Sequence, residues 1–242
     1  MTRLLPRLWH SRDRIVNHQP FASLVTLLDP YSEASEAYRT LGITLMHAPI
    51  GASRRVVVIT SPSPLEGKST TCANLGVVLA QAEKRTLIAD CDFRKPAMHK
   101  IFELRNTIGM ADVLAGERSL QEACQQTSQQ RLQVMTAGLV PPNPVEPLSS
   151  ERFSQLLDKM RQEFDYIVVD VPPTSLVTDP LIVAAQGDVV LLVVDARVTR
   201  EIAVKQSLRS LENVGAHVLG TVVNNAKTFN MDSYYPERLY SQ

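Results

Sequence analysis

Along the chain, short runs apolar at consecutive positions alternate with longer stretches whose apolar residues recur every three or four places. The runs are Arg55-Val-Val-Val-Ile-Thr60, Thr86-Leu-Ile-Ala-Asp90 and residues 132–136, 166–171, 189–194 and 218–223. Aliphatic and β-branched residues without polar alternation predict strands covered on both faces. Between them, residues 69–83, 149–163 and 199–213 read as amphipathic helices long enough to cross from one parallel strand to the next. This alternation predicts an α/β fold with a doubly wound, mostly parallel sheet, whose ligands bind beyond the carboxyl ends of the strands. An earlier segment, 31–41, reads as a helix starting at Ser32 or Glu33. The pattern divides the chain into an amino-terminal arm (1–30), a domain (31–227) and a tail (228–242) that has no helical stripe and contains Pro236. The proline-dense segment 141–147 reads as a stiff loop.

Composition narrows the classes. The 242 residues are 44% hydrophobic and 21% charged, a globular balance at a length that suits one α/β domain. Lysine plus arginine number 25, as do aspartate plus glutamate, so no global field draws the chain to nucleic acid, and no nucleic-acid partner is expected. Within the first twenty residues, Arg3, Arg7, Arg12 and Arg14 stand against Asp13 alone, which reads either as a basic arm or as the scattered charges of a mobile terminus. Pro6 and Arg7 interrupt the apolar residues too early for a signal peptide. The aliphatic stretch 189–194 falls far short of the roughly 18 residues of a membrane span. A cytoplasmic protein is expected. Cys72, Cys91 and Cys124 fit neither a disulfide framework nor a zinc site.

The strongest chemical signal is Thr60-Ser-Pro-Ser-Pro-Leu-Glu-Gly-Lys-Ser-Thr70, placed after a strand and opening a helix, as a phosphate-binding loop requires. Gly67 lets the backbone approach a phosphate, Lys68 supplies a cation for the β and γ oxygens, and Ser69 a hydroxyl for magnesium. Pro62 stands where the motif's first glycine belongs. Asp90 and Asp92 end the second strand, where alternate residues can face the same site as metal ligands or as acceptors of a hydroxyl proton. The alternative is that they are turn or helix-capping aspartates. Asp170 ends a further strand, at the position of the acidic residue that reaches magnesium in phosphate-loop proteins.

With these motifs in place, the chain resembles the bacterial tyrosine kinases of capsular and exopolysaccharide synthesis, a phosphate-loop fold on the ParA/MinD-like branch. The resemblance runs from about Ser32 to Val223 and includes Glu36-Ala-Tyr-Arg-Thr-Leu41, Asp90-Cys-Asp-Phe-Arg-Lys-Pro96, Gly109-Met-Ala-Asp-Val-Leu114, Gly138-Leu-Val-Pro-Pro-Asn-Pro144, Ser150-Glu-Arg-Phe153 and Thr178-Asp-Pro-Leu181. It implies an ATP- and magnesium-dependent protein-tyrosine autokinase. Lys68, Ser69 and Thr70 would bind the phosphates, and Asp170 and Ser69 the magnesium ion. Asp90 would be the leading candidate for activating the tyrosine hydroxyl, with Asp92 a metal ligand or a partner in that task, and Asn224 would contact the adenine. The acceptors would be carboxyl-terminal tyrosines phosphorylated in trans between copies; here Tyr234, Tyr235 and Tyr240 lie in the last nine residues. Alternatively, they are aromatic anchors of a subunit contact. Self-association would use Glu36 and Arg39, with Gly42 in place of the pattern's second arginine. A separate transmembrane polysaccharide chain-length regulator would recruit the kinase to the membrane's inner face and activate it.

Two other readings share the fold. A ParA/MinD-type ATPase switch usually carries a second lysine five residues before the motif lysine, where this chain has Ser63. A non-catalytic nucleotide-gated regulator would have no need of Asp90, Asp92 and Asp170 together.

Overall fold

The computed structural model describes residues 24–48 and 55–226. The arm up to residue 23 and the tail tyrosines Tyr234, Tyr235 and Tyr240 lie outside the described residues. Strands β1 (Arg55–Thr60), β2 (Thr86–Asp90), β3 (Cys124–Gln126), β4 (Leu132–Met135), β5 (Tyr166–Asp170), β6 (Val189–Asp195) and β7 (Val218–Asn224) form one sheet in the order β3-β4-β2-β5-β1-β6-β7. Every neighbouring pair is parallel except β3 with β4. The six strands read from the sequence are all present with ends shifted by at most one residue. The addition, β3, is a polar Cys-Gln-Gln run at the sheet edge, where pairing on one side removes the need for apolar side chains.

Helices α1 (Val25–Leu28) and α2 (Glu33–His47) precede β1, and α3 (Lys68–Gln81) follows it. Four short helices, α4 (Met98–Ile101), α5 (Met110–Ala115), α6 (Leu120–Ala123) and α7 (Val145–Leu148), lead to α8 (Glu151–Glu163), α9 (Asp179–Ala184) and α10 (Glu201–Asn213). The segment expected as a stiff proline loop therefore ends in one helical turn, with Pro144 pre-set at φ −65° as its cap. Among the described residues, no helix is long and apolar enough to cross a membrane.

Two cores sandwich the sheet, because successive strand residues point to opposite faces. Val56, Val58, Ile167 and Val169 pack with Phe153, Leu157 and Met160 of α8. Val57, Ile59, Ile88 and Val168 pack with Leu75 and Leu79 of α3. Whereas α8 keeps its polar face in water, α3 is buried from Thr71 through Ala80, because α1 and α2 cover the side turned away from the sheet. The Thr26 N–H and hydroxyl both donate to Asn74 Oδ1 of α3, at 3.1 and 2.8 Å, so residues 24–30 of the expected arm begin the packed structure. Ser32 caps α2 by accepting the Ser35 N–H at 3.3 Å, and α2 runs six residues beyond Leu41. Gly42 does not end it, because that position is where α2 meets α3: a Cβ there would stand 2.7 Å from Val78 Cγ1.

Phe153 is fully buried between α8 and the sheet. Phe153→Ala should destabilise the protein by about 3–5 kcal/mol, lowering the melting temperature by roughly 10 °C. Lys159→Ala on the exposed face of the same helix should leave it within about 0.5 kcal/mol. Calorimetric melts of the two variants check the contrast.

Candidate active site

The β1–α3 connection forms the floor of the site. Gly67 adopts φ +92°, and a Cβ on it would come within 2.3 Å of Asn224 Nδ2, so both conformation and space demand glycine. No side chain caps α3, which leaves its first-turn N–H groups and the positive end of its dipole to an anion. The loop reaches this shape without a first glycine. Pro62 is buried and its carbonyl accepts the Ser175 N–H at 3.3 Å, while the Ser61 carbonyl accepts the Thr174 N–H at 2.9 Å. Positive φ falls instead on Leu65, at +66° on the exposed tip. Glu66, only 2% exposed, turns its carboxylate away from the phosphate path to accept the Ser63 N–H at 2.9 Å and the Thr199 hydroxyl at 2.6 Å. Thr199 in turn accepts the Asp195 N–H at 2.8 Å, which ties the loop to the end of β6.

Above this floor three strand ends converge. Lys68 Nζ donates to Asp92 Oδ2 at 2.7 Å and lies 3.2 and 3.4 Å from the two oxygens of Asp170. The Ser69 hydroxyl donates to Asp170 Oδ2 at 2.6 Å. Parallel register makes this possible, since Asp170 at the end of β5 lies level with Ile59 of β1 and Asp90 of β2. Burial opposes the lysine's charge, but the carboxylates of Asp170 and Asp92 outweigh it and raise its pKa. Burial pushes Asp170 up as well, against the pull of Lys68 and the Ser69 hydroxyl.

Asp90, expected as the leading base, is arranged differently from Asp92. Its Oδ1 accepts the Asp92 N–H at 3.1 Å and its Oδ2 accepts the N–H groups of Ala97 and Met98 at 2.9 and 3.0 Å. The side chain is fully buried; burial and then the Asp170 carboxylate push its pKa up to about 7. Asp90 thus organises the β2–α4 loop, the capping use that the sequence left open, and it is Asp92 that meets Lys68. Thr70 stands in the first turn of α3, where its carbonyl accepts from Asn74 at 2.9 Å. Asn224 does reach the site, but its Nδ2 is engaged with the phosphate loop, donating to the Glu66 carbonyl at 2.9 Å. Glu36 and Arg39 pair with each other on α2, where Arg39 also donates to the Pro30 carbonyl.

These residues suit a magnesium ion. The Ser69 hydroxyl and the Asp170 carboxylate offer hard oxygen donors, and the gap between Asp92 and Asp170 already accommodates a positive charge. Among the described residues, no cluster of three or more His, Cys, Asp or Glu could hold a metal unaided, so nucleotide phosphate and water would complete the shell, as is usual for magnesium. Sequence reasoning missed the Glu66–Thr199 clasp, although a glutamate inside a phosphate loop is itself a signal: it must turn away from the anion. It also gave no role to Arg94 and Asp179, which form a two-pronged ion pair, with Nε and Nη2 donating at 2.9 and 3.2 Å.

Comparison with known proteins gives this geometry a family. Residues 65–221 match the model of an AAA domain (AAA_31). The chain is 35% identical over 212 residues to the tyrosine-protein kinase YwqD of Bacillus subtilis, covering 88% of this chain and 90% of YwqD. The kinase domain of Escherichia coli tyrosine kinase ETK superposes with a TM-score of 0.79 at 30% identity, over 85% of this chain and 82% of that one. The cell-division ATPase MinD of Pyrococcus furiosus shares the fold, with a TM-score of 0.61 at 24% identity over 71% of this chain and 72% of its own. Both the sequence match along most of its length and the phosphate-loop domain at its centre show that the chain belongs to the bacterial tyrosine-protein kinases.

Proposed function

We propose that this tyrosine kinase transfers the γ-phosphate of ATP, with magnesium, to the carboxyl-terminal tyrosines Tyr234, Tyr235 and Tyr240 of a neighbouring copy, and that it thereby regulates exopolysaccharide or capsule synthesis. The observation that carries this reading is the convergence of Lys68, Ser69, Asp92 and Asp170 within hydrogen-bonding distance of one ammonium group. Loop N–H groups at the start of α3 bind the β-phosphate. Lys68 exchanges its carboxylate partners for the β and γ oxygens and holds the transferred group in line. Ser69 and Asp170 would hold magnesium, which when bound would neutralise charge on the phosphates. The Asp90–Asp92 pair serves the acceptor side: Asp90 holds the Asp92 N–H, and a carboxylate of the pair takes the tyrosine proton. Asn224 braces the loop through the Glu66 carbonyl and would stand beside the adenine.

Catalysis in trans fits a tail, residues 228–242, that follows closely in sequence on Asn224 and Asn225 at the edge of the site. A phosphate adds about −1.5 to −2 charge, so a modified tail is repelled by the carboxylates and leaves. We further propose that copies associate through the α2 face carrying Glu36 and Arg39, and that a separate transmembrane regulator of polysaccharide chain length holds the kinase at the inner face of the membrane. Ser63 stands where a ParA/MinD-type switch usually carries its second lysine, and the lack of that cation favours the kinase reading over the switch.

Lys68→Met should reduce tyrosine phosphorylation by at least about 100-fold, because it removes the cation that positions the transferred group. Mass spectrometry of the tryptic peptide 228–238 from native cells checks this, and undiminished phosphate on Tyr234 or Tyr235 would refute the site. A chain with Tyr234, Tyr235 and Tyr240 all changed to Phe should bind ATP with unchanged affinity yet incorporate little phosphate. Equal incorporation in a radiolabel assay would place the acceptor elsewhere.

A further inference from the structure

The Arg94–Asp179 pair joins two segments that the nucleotide chemistry leaves unused. Asp179, in the first turn of α9, is fully buried, and its carboxylate takes both Nε and Nη2 of Arg94. This two-pronged contact fixes the plane of the guanidinium. Nη1 has no hydrogen-bond partner among the described residues, and the Arg94 side chain is 43% exposed. A buried carboxylate thus holds an arginine in one orientation with one pair of N–H donors turned outward. Its neighbour Lys95 is anchored through its backbone, the N–H donating to Asp92 Oδ1 at 2.9 Å, and its side chain is exposed.

The place of this pair in the sheet gives it a role. The order β2-β5-β1-β6-β7 sets Asp92, Arg94 and Asp179 on one side of the phosphate loop and Asn224, Asp195 and Asn225 on the other. A γ-phosphate and metal held at Lys68, Asp92 and Asp170 would leave the nucleoside toward β6 and β7. Attacking and leaving oxygens are in line in phosphoryl transfer, which brings the acceptor in from the β2 side. The two loops flanking that approach, 91–97 and 171–178, contain three charged residues: Asp92, buried against Lys68, and the exposed Arg94 and Lys95. Asp179 neutralises much of the Arg94 charge and leaves its oriented N–H donors, while Lys95 adds a free cation. In the chain's own tail, Asp232 stands two residues before Tyr234 and Glu237 two residues after Tyr235.

We propose that Arg94, held by Asp179, and Lys95 form an acceptor subsite that selects tyrosines with an acidic residue about two positions away. The proposal rests on the kinase reading and names the substrate class of the same site. Arg94 is then a specificity-determining residue, and Asp179 a positioning residue that acts through it.

The test uses the full chain with a non-hydrolysable ATP analogue and magnesium, and two fluorescent peptides: residues 228–242, and the same peptide with Asp232→Asn and Glu237→Gln. Fluorescence anisotropy should show the acidic peptide binding about tenfold more tightly at low salt, with the preference shrinking as ionic strength rises. Arg94→Gln keeps a donor for Asp179 and removes the outward cation, so it should cut the preference to less than about twofold. A purely structural role for Arg94 would weaken both peptides alike and leave their ratio intact. Equal binding of the two peptides, no binding of either, or a ratio unchanged in Arg94→Gln overturns the proposal. Absence of phosphotyrosine in parallel reactions with ATP, alongside a preference that Arg94→Gln abolishes, would count against the kinase reading and leave the acidic-peptide subsite standing.

Discussion

Two carboxylates brought out of water at neighbouring strand ends repel each other unless a cation stands between them. In this protein that cation is Lys68, and much of the architecture follows from the need to hold it there. Asp170 has no exposed surface and Asp92 almost none, so neither can rely on solvent for its charge. Their ion pairs with Lys68, and the Ser69 hydroxyl on Asp170, meet that need in the free protein. A nucleotide bringing its own metal can take over both halves of the arrangement: phosphate oxygens receive the ammonium, and magnesium receives the carboxylate and hydroxyl. The site is organised around the charges that nucleotide binding requires, which limits the reorganisation that binding demands.

The phosphate loop reaches the same end by an unusual route. Loops of this kind rely on glycines to bend the backbone around an anion, and this chain keeps one of them, Gly67. The remaining curvature is held within the loop by Glu66 gripping Ser63, and from outside by Thr199 on Glu66, by Asn224 on the Glu66 carbonyl, and by the 171–178 loop on Ser61 and Pro62. Since Thr199 also takes the Asp195 N–H, the loop's shape depends on the ends of β6 and β7 as well as on its own residues. On the opposite side, Asp90 uses three backbone N–H groups to hold the β2–α4 loop that presents Asp92 and Arg94. The phosphate loop and the β2–α4 loop are therefore braced separately, each by a buried carboxylate that faces backbone or hydroxyl groups.

Much of this was legible in the chain itself. Six strands and the four long helices follow from the spacing of aliphatic residues, because a strand buried on both faces leaves a short unbroken apolar run and a crossover helix leaves apolar residues every three or four places. Lys68, Ser69 and Asp170 were legible as a site because each motif stands at the carboxyl end of a strand, where a parallel sheet gathers its ligands. The expected limits of α2 missed its last six residues, since Gly42 looks like a stop when only propensity is considered and acts as a contact once Val78 lies opposite. The short helices and β3 left little trace, as four-residue turns and polar edge strands are too brief to carry a period.

What the sequence by itself determined is the set of strand ends and the chemistry delivered to them: a lysine and hydroxyl on one, carboxylates on two others, an asparagine on the last. Those are local properties, written in residue type and spacing. The tertiary structure alone decided which carboxylate meets Lys68 and which is consumed by backbone N–H groups, that Glu66 faces Thr199 more than a hundred residues away, and that Arg94 is held by Asp179. Such choices depend on strand order, register and the direction of side chains, between residues as far as 133 positions apart. No pattern along one segment encodes the distance to another; the packing of both against the same sheet does.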